Sequence, residues 1–285
     1  MMYLKNFIPL RIIKNILRLY PLKFTLRFIF LNLKLSRFEK NNPFKGELGI
    51  NKGWLQSQLS NKSVSILKKT YNLYKSTKKI EITIDNIDAF QEIFKNIGEK
   101  IKDYLGKDAK VDGMFFIHSQ ATHKSTSSNW HTDNVGSRIK VFVCIEGDGS
   151  QPTILSIPSN SIHSLNYLLK IYFHEVNRWI GFNFKNKLKN AIYLKHRKGS
   201  IFSLDTAVLH RGGYELGAKS RTVLVIEFSN PDKHKLLSRG LLKGPIGTNK
   251  NNQFVFKEID NIPIEISSLL DQKRIMIKND LVSYQ

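Results

Sequence analysis

The chain has a single cysteine, Cys144, in 285 residues. No internal disulfide can form, so a reducing cytosol is the expected compartment. Acidic side chains are scarce: 23 Asp and Glu stand against 45 Lys and Arg, a formal net charge of +22. No acid precedes Glu39. Within residues 1–38 no uninterrupted apolar run approaches the ~20 residues that a membrane-spanning helix needs. Charges break up the apolar stretches there and no A-x-A site follows, which disfavours a secretory signal. RNA-recognition, zinc-finger and helix-turn-helix patterns are missing, so nucleic acid is not an expected partner. Internal repeats and long low-complexity tracts are absent too.

What is present supports a folded core, since hydrophobic residues make up 41% of the chain. The length suits one large β domain with helical additions, or two small domains. The positive charge points to an anionic partner such as a membrane surface or an acidic substrate. It also fits drift in a sequence rich in Lys, Asn and Ile. Residues 1–38 carry Arg11, Lys14 and Arg18 on one helical face, and Lys23 and Arg27 on another, between apolar residues. Three readings of this segment stand: a basic amphipathic pair lying on an anionic membrane, helices packed on the outside of the domain, or a targeting sequence.

The chemistry is concentrated between residues 130 and 228. Trp130, His131, Thr132 and Asp133 open this stretch, and Leu209, His210, Arg211, Gly212 and Gly213 close it. On an extended segment residues i and i+2 point to the same side, so His131 and Asp133 can share one metal ion. With the distant His210 they form a candidate two-His-one-carboxylate triad of the kind that holds non-haem Fe(II). A double-stranded β-helix, or jelly roll, brings such distant strands side by side. Three protein ligands leave open positions for a co-substrate. Arg221, eleven residues after His210, begins an alternating strand. Its guanidinium could fork onto the far carboxylate of 2-oxoglutarate.

The W-H-x-D run, the L-H-R-G-G run and the arginine eleven residues after that histidine resemble the phytanoyl-CoA dioxygenase family of Fe(II)/2-oxoglutarate oxygenases. The resemblance covers roughly residues 110–232. It implies a mainly β domain with a jelly-roll, cupin-like core and flanking helices. It implies His131, Asp133 and His210 as iron ligands, Arg221 as the 2-oxoglutarate anchor, and O2 with a small or lipid-linked substrate as reactants. Related halogenases carry a small residue where this chain has Asp133, so the carboxylate argues for hydroxylation. One departure stands out. Some members place a hydroxyl side chain two residues after the distal histidine, where this chain has Gly212, so another group must serve.

Taken in order, 39–53 reads as a linker and 54–76 as a ragged helix with a break at 60–63. A short strand at 79–83 precedes a helix capped by Asp85, with Ile87, Phe90, Phe94, Ile97, Ile101 and Leu105 at spacings of three and four. Strands are expected at 111–118, 139–145, 152–158, 199–205 and 221–228. Lys140 could reach an anionic substrate or the co-substrate, or be only a strand-edge lysine. His118 and His123 are weak rival ligands, and Gln120 and Thr122 are candidate pocket residues. Cys144 reads as a small core residue. A helical insertion is expected at 162–180, where substrate selection could reside, followed by a basic stretch at 182–197. The β signal fades after Phe228, and 264–277 reads as a closing helix. The domain organisation is thus a basic segment, 1–38, and one domain, 39–285. The protein is expected in the cytoplasm, with association to a membrane surface as the second expectation. The competing function is a jelly-roll module that binds an anionic glycan or lipid with a vestigial metal site. A zinc hydrolase would leave Arg221 without a purpose.

Overall fold

The computed structural model describes residues 46–50, 53–120, 130–133, 138–157, 165–180, 191–213, 217–230, 254–257, 259, 261–271, 275–278 and 281–284. In chain order the elements are α1 (Gly46–Ile50), β1 (Trp54–Gln58), α2 (Asn61–Thr77), β2 (Ile80–Ile82), α3 (Ile87–Leu105) and β3 (Lys110–Ser119). Then come β4 (Ile139–Glu146), β5 (Thr153–Ser156), α4 (Leu165–Ile180), β6 (Ala191–Leu194), β7 (Ser200–Asp205), β8 (Leu209–Gly212) and β9 (Arg221–Ser229). The last elements are β10 (Phe254–Lys257), α5 (Ile264–Ser267), β11 (Ile275–Lys278) and β12 (Leu281–Tyr284). The fold is mainly β with flanking helices.

A five-stranded antiparallel sheet runs in the order β1-β7-β4-β9-β3, and a three-stranded one in the order β6-β5-β8. A third sheet, β11-β12-β10-β2, includes a parallel pairing of β10 with β2. Alternation of side chains sorts the large sheet into two faces. Met114 and Phe116 of β3, Val141, Val143 and Ile145 of β4, and Leu224, Ile226 and Phe228 of β9 join one core. The helix α3 lays Phe90, Phe94, Ile97 and Ile101 on that core, with Phe94 meeting Phe228 edge-on at 5.9 Å between ring centres. Burying side chains of this size contributes about 1.5–3 kcal/mol each. The opposite alternation sends Lys140, Phe142 and Cys144 of β4, and Arg221, Val223, Val225 and Glu227 of β9, to the other face. That second face holds the candidate site.

The three-stranded sheet is tied to α4 through Tyr167. Its hydroxyl donates to the Ser156 carbonyl at 2.6 Å and accepts from the Leu209 amide at 2.8 Å. Both contacts are buried, so the 165–180 helix is an integral cover of the small sheet.

Several local expectations change. Residues 54–58 are a strand, because β7 supplies edge hydrogen bonds from Leu204 to Ser200 that no local pattern announces. The expected break at 60–63 is a helix start: Ser60 caps α2 by accepting from the Ser63 amide at 3.2 Å. The N-cap of α3 is Asn86, where Asp85 was expected. The Asn86 side chain binds the Thr83 amide and the Glu81 carbonyl, which ties β2 to the helix start. Among the described residues of 264–277, Ile264–Ser267 is α-helical, and Ile275 begins the strand Ile275–Lys278, paired with β12. The β structure therefore continues after Phe228. The basic segment 1–38 lies outside the described residues. Among the described residues, no helix is long and apolar enough to cross a membrane.

Candidate metal centre

Backbone pairing builds the site. His131 and His210 form an isolated antiparallel bridge with two reciprocal hydrogen bonds of 2.9 Å. Such a pair points both side chains to one side of the sheet, and the two rings lie 4.5 Å apart between centres. The Asp133 amide donates to the Thr206 carbonyl at 3.1 Å, which fixes the carboxylate's position beside the rings. Asp133 Oδ1 lies 3.4 Å from His131 Nε2, and Asp133 Oδ2 lies 3.7 Å from His210 Nε2. One ligand atom from each of the three residues falls within 4.8 Å of the others, a grouping that could hold a metal ion. Both histidines are buried, while Asp133 is partly open to solvent.

The protonation pattern follows from the partners. His210 Nδ1 lies 2.8 Å from the Val208 carbonyl, which can only accept. Nδ1 therefore carries a proton, and Nε2 is the ring nitrogen that faces Asp133. Burial alone would push the Asp133 carboxyl up. The two imidazoles and the Lys140 ammonium outweigh it and hold the group well below the usual carboxylate range. Asp133 is thus an anion ready to ligate.

Lys140 is not a strand-edge residue. It sits on β4, the middle strand of the five, with its Nζ 2.6 Å from Asp133 Oδ2 and 3.3 Å from Glu227 Oε1. Burial lowers its affinity for a proton, and the charges of Asp133 and Glu227 more than restore it. Glu227 also accepts from Arg138 Nη2 at 2.7 Å, and that nitrogen lies 3.3 Å from Asp112 Oδ2. Sequence reasoning missed Glu227, Arg138 and Asp112. Glu227 interrupts the apolar run from Val223 to Phe228, the one signal that could have flagged it.

Arg221 lies at the opposite end of β9, on the same alternating face as Glu227. Its Nη1 donates to the Gln151 carbonyl, and its buried Nε has no partner among the described residues. Nearby, Thr153 Oγ1 lies 2.8 Å from His196 Nε2. Gly147 keeps this corner tight: a side chain there would meet the His196 carbonyl at 2.5 Å and Cys144 Sγ at 2.9 Å. Thr153 is the direct cross-strand partner of Gly212, and Leu155 that of His210. Cross-strand partners share a face. A hydroxyl absent at position 212 is therefore present one strand away, about 7 Å along β5 from the level of His210. Cys144 is buried among Val223, Val225 and Phe142, and its thiol is pushed up to about 12 by burial.

Burial, reinforced by the charge of Arg221, holds His196 well below the ordinary histidine value. The folded chain keeps it neutral while the unfolded chain takes up a proton below about pH 6.5. This contribution to stability is complete above that pH. It falls as the pH drops below it, by up to about 1.4 kcal/mol per unit. Urea denaturation at about pH 7.5 and about pH 5.5 should show wild type losing roughly that amount more than His196→Gln. Equal losses in the two proteins would assign the effect to another group.

The remaining candidates lie elsewhere. His118 Nδ1 is 2.9 Å from Thr222 Oγ1 and its ring stacks near Tyr71, apart from the triad. Gln120 follows the last residue of β3 and is exposed to solvent. Thr122, His123 and residues 182–190 of the basic stretch 182–197 lie outside the described residues.

No protein-family model and no curated protein sequence matches the chain. Solved structures do. HygX from Streptomyces hygroscopicus, with iron bound, aligns at TM-score 0.45 and 10% identity over 62% of this chain and 82% of its own. HygX is also known with nickel and 2-oxoglutarate bound. AviO1 from Streptomyces viridochromogenes Tue57 aligns at TM-score 0.42 and 11% identity, covering 64% of this chain and 91% of that one. The non-heme monooxygenase ThoJ, in its apo form, aligns at TM-score 0.42 and 13% identity over 63% and 75% of the two chains.

Proposed function

We propose that this chain is an Fe(II)- and 2-oxoglutarate-dependent dioxygenase that hydroxylates a small or lipid-linked substrate. The observation that carries the reading is the meeting of three ligand atoms from His131, Asp133 and His210 within 4.8 Å. Nitrogen and carboxylate donors of this kind suit a first-row divalent ion, whose bonds of about 2.0–2.2 Å put neighbouring ligand atoms about 3 Å apart. On this reading the five- and three-stranded sheets are the two halves of a double-stranded β-helix, residues 39–285 form one domain, and the 165–180 helix helps select the substrate. The segment 1–38 would provide any contact with a membrane surface.

His131, Asp133 and His210 would hold the metal. Arg221 and Thr153 would hold the far carboxylate of 2-oxoglutarate. The buried Arg221 Nε supports this, because a buried cation with an idle donor is costly until an anion meets it. If His196 Nε2–H donates to Thr153 Oγ1, the threonine hydroxyl keeps its own proton for that carboxylate. Phe142, Val223 and Val225 line the face between these groups and keep it dry. The chemistry supplied by ferrous iron with 2-oxoglutarate and O2 is hydroxylation of an unactivated C–H bond, with succinate and CO2 as co-products.

Anaerobic titration of the apo protein with Fe(II) and then 2-oxoglutarate tests the reading. A weak visible charge-transfer band that saturates at one metal per chain is expected. A chain that develops no band yet binds anionic liposomes or glycans tightly would instead be a binding module.

A further inference from the structure

We propose that Lys140 is a positioning residue for the metal centre: its ammonium, held from behind by Glu227, ties up Asp133 Oδ2 and leaves Oδ1 as the carboxylate's one metal donor. The inference rests on the dioxygenase reading above. Its basis is the path of charges inward from Asp133. Lys140 Nζ binds Asp133 Oδ2 at 2.6 Å and Glu227 Oε1 at 3.3 Å. Glu227 Oε2 accepts from Arg138 at 2.7 Å, Arg138 lies 3.3 Å from Asp112 Oδ2, and Asp112 Oδ1 accepts from Ser229 Oγ at 2.7 Å. Negative and positive groups alternate from Asp133 to Asp112.

Strand register holds this path rigid. Lys140 and Glu227 are direct cross-strand partners on β4 and β9. The β3–β9 register shifts between Val111 and Gly113, so Asp112 is the extra residue of a bulge. Val111 and Met114 both join the helix-side core, so the bulge adds a residue on the opposite side, where Arg138 waits. Arg138, Glu227 and Asp112 are all buried. Stability is a poor reason for such an array, because well-packed apolar side chains of similar volume usually serve as well or better. Orientation is a good reason. A protonated lysine has three donors and no acceptor, so it can hold two carboxylates at once and cannot itself ligate a metal. With Oδ2 occupied, Asp133 cannot chelate through both oxygens, and one more coordination position stays open for the co-substrate and O2.

The test compares Co(II) binding and the visible Co(II) spectrum in wild type, Lys140→Met, Lys140→Arg and Glu227→Gln, with circular dichroism to check folding. Lys140→Met is expected to bind one Co(II) with a changed ligand-field spectrum and about tenfold weaker affinity, the scale of losing an outer-shell partner. Lys140→Arg should recover part of the affinity. Glu227→Gln, which leaves Asp133 and Lys140 in place, should move the spectrum in the same direction by less; it carries the test if Lys140→Met does not fold. Unchanged spectra and affinities in these variants overturn the inference alone. Tighter binding in Lys140→Met also overturns it, since Lys140 would then compete with the metal. A wild-type protein that takes no metal overturns the dioxygenase reading and this inference together.

Discussion

His210→Ala is expected to lose Fe(II) and to stop 2-oxoglutarate turnover. The substitution removes one of the three side chains that converge on the site and leaves a histidine and a carboxylate. Losing even an outer-shell partner of a metal ligand costs about 10–100-fold in affinity or activity, so succinate release should fall by more than about 100-fold. The fold should survive. The bridge between residues 131 and 210 is made by backbone groups, which alanine retains, and the imidazole's Nδ1 bonds to the Val208 carbonyl, two residues away. Loss of turnover in a normally folded variant is therefore specific to the metal. Succinate released at the wild-type rate would end the dioxygenase reading.

Arg221→Ala separates the co-substrate from the metal. Its guanidinium stands at the far end of β9 from Glu227, beside Gln151 and Thr153, so its removal should leave the Fe(II) affinity alone. A hydrogen bond to a charged group is worth about 1.5–3 kcal/mol, and each 1.4 kcal/mol is about tenfold in affinity. The 2-oxoglutarate concentration for half-saturation should therefore rise by about 10- to 100-fold. Thr153→Val should raise it in the same direction by less, because a neutral donor is lost. An Arg221→Ala protein with an unaltered 2-oxoglutarate requirement would show that another cation seats the co-substrate.

The two experiments draw on different kinds of information. The candidate ligands could be read from the chain because their signals are local or ordered. His131 and Asp133 lie two residues apart, and alternation in a strand puts both on one side whatever the fold. The long helix was equally open to reading: Ile87, Phe90, Phe94, Ile97, Ile101 and Leu105 recur at helical spacing, and all of them are buried. The strand at 221–229 declares itself through a run of β-branched residues. Local pattern failed where an element exists only because of a distant partner. Residues 54–58 became a strand by lying along β7, and Phe254–Lys257 by lying beside Ile80–Ile82.

The missing hydroxyl shows the same limit. Gly212 was seen to leave a gap, but Thr153 could not be named, because its place opposite Gly212 is a matter of register between β5 and β8. Lys140 was noticed and misjudged for a similar reason. Seven residues from Asp133 along the chain, it reads as a lysine that could reach an anionic substrate or co-substrate, or as a strand-edge lysine. In the sheet it faces Glu227 and closes on the Asp133 carboxylate.

By itself, then, the amino-acid sequence determined which side chains could ligate a metal, which segments were strongly helical or extended, and the charge of the whole. Side-chain chemistry and short-range periodicity need no knowledge of the fold. The tertiary structure alone decided which neighbours those side chains meet: the lysine on the carboxylate, the threonine opposite the glycine, the histidine behind it. Strand pairing joins residues many tens of positions apart, and a shift of one residue in register would turn every one of these groups to the opposite face.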